Sequence, residues 1–178
     1  MMTNQQVRIR KFLKEDIPLK VKWINNPEIN KYLHYNLPLE EEKTLQWYEN
    51  NKNNTNRIDN TIEILEDDLY TPVGLIGLLG VDNINKKAEF YICIGERNTQ
   101  GKGIAEKASI QFINQCFKNT DLNKIYLYTE KANIAAQKLF EKVGFKKEGL
   151  LIEDLIYNEK KIDRYVYGLL REDFKYEL

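Results

Sequence analysis

Residues 86 to 130 constrain the fold more tightly than any other part of the chain. An alternating segment, Ala88 to Gly95, passes through a polar turn into a helix opened by Gln100-Gly101-Lys102-Gly103-Ile104-Ala105, and Lys124 to Glu130 reads as a second strand. In the helix, Ile104, Ala105, Ala108, Phe112, Ile113 and Cys116 share one face, and the pattern ends near Phe117. Strand, helix and strand in that order imply a right-handed crossover between parallel strands, pairing residues 89–94 with 124–129. The turn itself has chemistry. A helix start leaves its first backbone N–H groups without intrahelical partners and carries partial positive charge, so a phosphate is a natural guest there. Gly101 and Gly103 let the backbone approach such a guest closely.

Two glycines before a helix are by themselves compatible with a tight structural turn. The flanking residues go further. Gln100-x-x-Gly103-x-Ala105, after a strand carrying Ala88-Glu89-Phe90, resembles the acetyl-CoA pyrophosphate loop of the GNAT superfamily of N-acetyltransferases. Downstream, the run from Asn133 to Leu139 followed by Phe140-Glu141-Lys142-Val143-Gly144-Phe145 is similar to that superfamily's asparagine-led helix ending in E-K-x-G-F. The resemblance extends loosely from Val7 to the C-terminus. It is closest to the branch holding ribosomal-protein N-terminal and spermidine acetyltransferases.

That resemblance implies an α+β fold: a mixed, mostly antiparallel sheet of about seven strands with a central parallel pair, flanked by about four helices. It implies acetyl-CoA as co-substrate. The amides of Gln100, Gly101, Lys102, Gly103, Ile104 and Ala105 would wrap the pyrophosphate, Lys102 adding a charge-assisted contact. Asn133 would touch the pantetheine arm, as well as capping its helix, and Tyr91, Ile92, Cys93 and Ile94 would lie along the cofactor.

The remaining pattern agrees with one domain over residues 1–178. Val7 and Ile9 alternate with Arg8 and Arg10 in an opening strand. A helix begins at Lys14-Glu15-Asp16, with Pro18 near its first turn, and ends at Asn25-Asn26-Pro27; a short segment follows from Glu28 to Leu33. Glu40 to Asn50 reads as a helix bearing Leu45 and Tyr48 or Trp47 inward. Residues 57–66 and 72–81 read as antiparallel strands joined through Glu66-Asp67-Asp68 to Thr71-Pro72. Ala132, Ala135, Ala136, Leu139 and Val143 form the stripe of a last helix stopped by Gly144. Lys146 to Leu170 supplies two more strands with a turn near Asn158-Glu159.

Charge narrows the partners. Lys plus Arg equals Asp plus Glu, 27 each, so no global field favours nucleic acid or an anionic membrane. No apolar run reaches the length of a signal peptide or a membrane span, and a cytoplasmic location is expected. Cys93, Cys116 and a single histidine, His34, suggest neither a disulfide framework nor a metal site. The resemblance implies a small-molecule amine or a protein N-terminus as acceptor, and a homodimer is compatible with it.

Amide formation from a thioester needs a free amine, and a carboxylate acting through water can take the ammonium's proton. Glu89, sharing its strand side with Tyr91 and Cys93, is the first candidate; Glu130, ending the neighbouring strand, is the second. Many members of the superfamily protonate the leaving thiolate with a tyrosine before E-K-x-G-F. Here that position is Phe140, which has no proton to give, so Tyr126, Tyr128 or water must replace it. A non-catalytic CoA-binding module is the alternative that Phe140 raises. His34-Tyr35, Trp47 and Tyr48 are candidates for an acceptor pocket, and Glu40-Glu41-Glu42 and Asp67-Asp68 are candidate attractors of a cationic amine.

Overall fold

The computed structural model describes residues 5–176. Seven strands form one sheet in the order β1-β2-β3-β4-β5-β7-β6. They are β1 (Val7–Lys11), β2 (Ile58–Glu66), β3 (Leu69–Asp82), β4 (Lys87–Ile94), β5 (Lys124–Glu130), β6 (Lys146–Tyr157) and β7 (Lys160–Leu170). The helices are α1 (Ile17–Asn25), α2 (Pro27–Asn30), α3 (Glu41–Asn51), α4 (Ile104–Asn119) and α5 (Ile134–Val143). The expected architecture is present, with one addition. The segment after Pro27 is a single helical turn, started by proline and capped by the Asn26 side chain, which accepts from the Glu28 N–H.

Local chemistry explains the two hairpins. Asp67 and Asp68 have φ 47° and 62°, and Asn158 and Glu159 have 48° and 62°, the two consecutive left-handed residues of a type I′ turn. β3 thus starts at Leu69, earlier than the pattern predicts, because the turn needs only two residues. Pro72 lies inside the strand, beside a register shift at Ile62/Glu63, where a residue lacking an N–H is tolerated.

The sheet has two apolar faces. Ile62, Ile76, Leu78, Phe90, Ile125 and Leu127 pack under α4 and α5 in the larger core; Phe12, Ile17, Trp23 and Leu75 form a smaller core beneath α1 and α3. Gly95, at the end of β4, lies against Trp23 so closely that a Cβ there would sit 2.2 Å from the indole. The α5 stripe is rotated from the expected one. Gln137, Phe140 and Val143 are buried, while Ala132 and Ala135 are exposed, because the small side chains of Ala135 and Ala136 face a groove instead of the core.

The parallel pair also departs from expectation. Only Lys87, Ala88 and Glu89 pair with Lys124, Ile125 and Tyr126; beyond Glu89 the strands part. Each strand remains held on its other side, β4 by β3 and β5 by β7, so parting costs only the shared edge and leaves the backbone of Phe90 to Ile94 unpaired toward β5.

Candidate active site

The parted strands open a groove of ≈ 760 Å³ bounded by α2, α4 and α5. Its floor is β4 from Glu89 to Ile94, including Tyr91, Ile92 and Cys93. One end is the start of α4. Gly101 and Gly103 have φ 73° and 75°, a region that favours glycine, and the Gly103 N-cap offers no side-chain hydrogen bond. The first-turn amides of Ile104, Ala105 and Glu106 therefore stand uncapped where these residues line the groove. Gln100 lines the same wall. Lys102 does not line it; the lysines that do are Lys138 and Lys142, from α5. Helical spacing brings those two to one side of α5, a placement the turn motif alone does not reveal.

Asn133 caps α5, its side chain accepting from the Ala136 N–H at 3.1 Å, and lines the groove as well. The other end of the groove holds the titratable groups. Glu130 Oε1 lies 2.7 Å from His34 Nε2, linking β5 to the segment after α2. Arg164, on β7, pairs with Asp154 at 2.5 Å and lies over the Tyr128 ring, 4.4 Å from its centroid. Glu89 differs from Glu130. Among the described residues no hydrogen bond or ion pair engages its carboxylate, and burial raises its pKa, opposed by the charge of Arg164. Such a carboxylate is a stronger base than an exposed one.

Phe140 also borders the groove, but its ring is buried against Phe90, Phe145 and Tyr167. Tyr128 and Tyr32 line the groove, the Tyr32 hydroxyl donating to the Ala132 carbonyl at 3.3 Å, whereas Tyr126 does not line it. Cys93 is inert as a nucleophile, since burial pushes its thiol up to about 12. His34 lines the groove, while Tyr35 and Trp47 line a separate inner cavity and Tyr48 packs on Phe12. Asp67 and Asp68 are consumed by the β2–β3 turn. His34 and Arg164 are brought to the site by tertiary contacts from segments distant in sequence.

An uncapped, glycine-led helix start thus lies beside a strand with a free edge in the same groove, an arrangement able to hold a phosphate at one end and an extended, amide-bearing arm along the other. The model of the GNAT acetyltransferase domain matches residues 6–146, and the chain belongs to that family, whose members use acetyl-CoA. The spermidine N(1)-acetyltransferase of Vibrio cholerae is 34% identical over 56% of this chain and 57% of that enzyme, so the match spans just over half the relative's length. An uncharacterized N-acetyltransferase of Bacillus licheniformis is 26% identical over 96% of both chains. Among solved structures, a Vibrio cholerae spermidine N-acetyltransferase in complex with CoA and spermine superposes with a TM-score of 0.85 at 27% identity, covering 94% of this chain and 97% of that one.

Proposed function

We propose that the chain, working as one domain over residues 1–178, transfers an acetyl group from acetyl-CoA to a primary amine by direct attack in a ternary complex. The observation that carries this reading is the unengaged Glu89 carboxylate, its pKa raised by burial, in the groove that starts at the uncapped amides of α4. The pyrophosphate would accept from the Gln100-to-Ala105 turn and from α4's first amides, with Lys138 and Lys142 supplying charge. The pantetheine arm would run along the unpaired edge of β4, past Ile92 and Ile94, and meet Asn133. Its amide groups can take the hydrogen bonds that β5 leaves unmade beyond Glu89.

Glu89, directly or through one water, takes the ammonium proton. The amine then attacks the thioester carbonyl, and the tetrahedral intermediate expels the CoA thiolate while the nitrogen gives up its second proton, which restores the one that Tyr128 delivers to the thiolate. Tyr128, which lines the same groove, would protonate that thiolate, whose conjugate thiol has an ordinary pKa of about 8.5, so a weak donor suffices. Glu130, held by His34, orients the incoming amine. The inert Cys93 thiol favours direct transfer over an acetyl-enzyme. The Vibrio cholerae enzyme's name makes polyamines the first acceptors to test, followed by amino sugars, aminoglycosides and protein N-termini. The use of acetyl-CoA supports a cytoplasmic location, and light scattering reads whether a homodimer forms.

Thiol release from acetyl-CoA across an amine panel tests the reading. Turnover with at least one primary amine, greatly reduced in Glu89→Gln, is expected. A folded protein that binds CoA yet releases no thiol with any amine would instead be a CoA-binding module.

A further inference from the structure

Behind β4, on the face away from α4, lies an inner cavity of ≈ 130 Å³ between α1, α3 and β2. It shares Leu33, Tyr91, Ile92 and Cys93 with the groove, and shares Lys20, Tyr35 and Trp47 with an open cleft of ≈ 490 Å³ at the surface. The cavity thus abuts the groove on one side and the α1–α3 cleft on the other. Its charges do not balance. Asp59 is already engaged, by Arg57 Nε and Nη2 at 2.6 and 2.9 Å and by the Tyr91 hydroxyl at 2.7 Å. Lys20 is only 8% exposed, yet among the described residues it forms no ion pair; its ammonium lies 3.4 Å from the centroid of Trp47 and 5.6 Å from that of Phe12. In the outer cleft, Lys43 and Glu40 neutralise each other at 2.6 Å. Two cations and one carboxylate therefore face the cavity, and one positive charge is left over.

A nearly buried lysine with no ion-pair contact is costly and rare; Asp59, already engaged by Arg57 and Tyr91, acts on Lys20 only at longer range and repays part of the desolvation. Burial pushes the Lys20 ammonium down to about 8, so it still carries its charge near neutral pH. Tyr35, its hydroxyl pushed up to about 12, remains a neutral donor in the same cavity. A second ammonium, such as the far end of a polyamine, would add repulsion there. An oxyanion would complete the charge balance.

We infer that the acceptor amine carries a compact oxyanion, a carboxylate or phosphate group, that seats against Lys20 and Arg57 in this cavity while its amine lies in the groove at Glu89. This rests on the acetyltransferase reading above. Tyr91 is two residues along β4 from Glu89, about 7 Å, and its hydroxyl reaches the Asp59 carboxylate that Arg57 holds, so the oxyanion seat lies on the far side of that strand spacing from Glu89. That span excludes the α-amine of a free amino acid, whose carboxylate is too near. It suits an ω-amino acid or an amino sugar phosphate.

Matched acceptors test this: 6-aminohexanoate against 6-aminohexanamide, glucosamine 6-phosphate against glucosamine, and spermidine alone. The wild type should prefer the anionic member of at least one pair by about 10-fold or more in kcat/KM, the strength of a charge-assisted contact; which pair shows it separates carboxylate from phosphate. Lys20→Met, which keeps the stem length against Trp47, should bring that ratio to within about threefold, and Lys20→Arg should retain most of it. Preference for spermidine or for the neutral members, or an equal loss on both members in Lys20→Met, overturns the inference. Calorimetry with inorganic phosphate and with acetate on the CoA-loaded protein gives a readout independent of turnover. Binding of either that Lys20→Met abolishes supports the site, and absence of any Lys20-dependent binding overturns it. Should no amine release thiol while Lys20-dependent anion binding persists, it is the acetyltransferase reading that fails and not the anion site.

Discussion

Lys20→Met should stabilise the ligand-free protein near neutral pH. Burial lowers the Lys20 pKa from 10.5 to about 8, a shift corresponding to about 3 kcal/mol of folding free energy spent on keeping the ammonium charged inside. The Trp47 ring, 3.4 Å from the ammonium to its centroid, returns roughly 0.5–2 kcal/mol as a cation–π contact. The net cost is therefore about 1–3 kcal/mol. Its pH dependence has a definite sign. The folded pKa lies below the unfolded one, so between about 8 and 10.5 the unfolded chain binds more protons and stability rises with pH. Below about 8 the cost is paid in full; above 10.5 it is gone. Methionine keeps the apolar stem and removes the charge, so its advantage should be largest at pH 7 and should shrink by pH 9.5. Urea unfolding of both proteins at the two pH values measures this, because the difference between variants cancels every other titrating group, and unchanged m-values would show that the denatured state is the same. A methionine variant less stable than wild type at pH 7, or an advantage that does not change with pH, would refute the reasoning.

The remaining predictions concern the groove and its supports. Glu89→Gln should lower kcat/KM by roughly 10²-fold or more near neutral pH, with the deficit shrinking as pH approaches the acceptor's pKa, because the free amine then needs no base; wild-type rates from pH 6 to 9 would shift the role to Glu130. Gly103→Val should abolish CoA binding by calorimetry. An added Cβ at Gly103 meets nothing within 4 Å in the protein itself, so the fold should lose only about 1–2 kcal/mol from the left-handed φ of 75°; unchanged CoA affinity would make the turn purely structural. Gly95→Ala should cost about 1–3 kcal/mol, since its Cβ would fall 2.2 Å from the Trp23 ring, which must move; a melting temperature equal to wild type would contradict the packing.

Much of this was legible in the residues themselves. The alternation in β4, the 3.6-residue period of α4, the glycines at 101, 103 and 144 and the Asn158-Glu159 turn are statements about a few consecutive residues, and the backbone obeys them where local sterics decide. Membership of the groove by residues from Glu89 to Ile94, by Gly101 and Gly103, and by Asn133 follows from those elements once strand and helix are placed. Tertiary structure decided the rest. Whether β4 and β5 stay paired past Glu89 depends on edges held by β3 and β7, not on either strand's own pattern. The exposed Ala135 and the groove-lining Lys138 depend on where α5 meets that opening. The charges at Lys20, Arg57 and Asp59 are unremarkable as residues in sequence. Their imbalance exists only because α1 and β2, over thirty residues apart along the chain, enclose one small cavity, where removal from water makes each unpaired charge count.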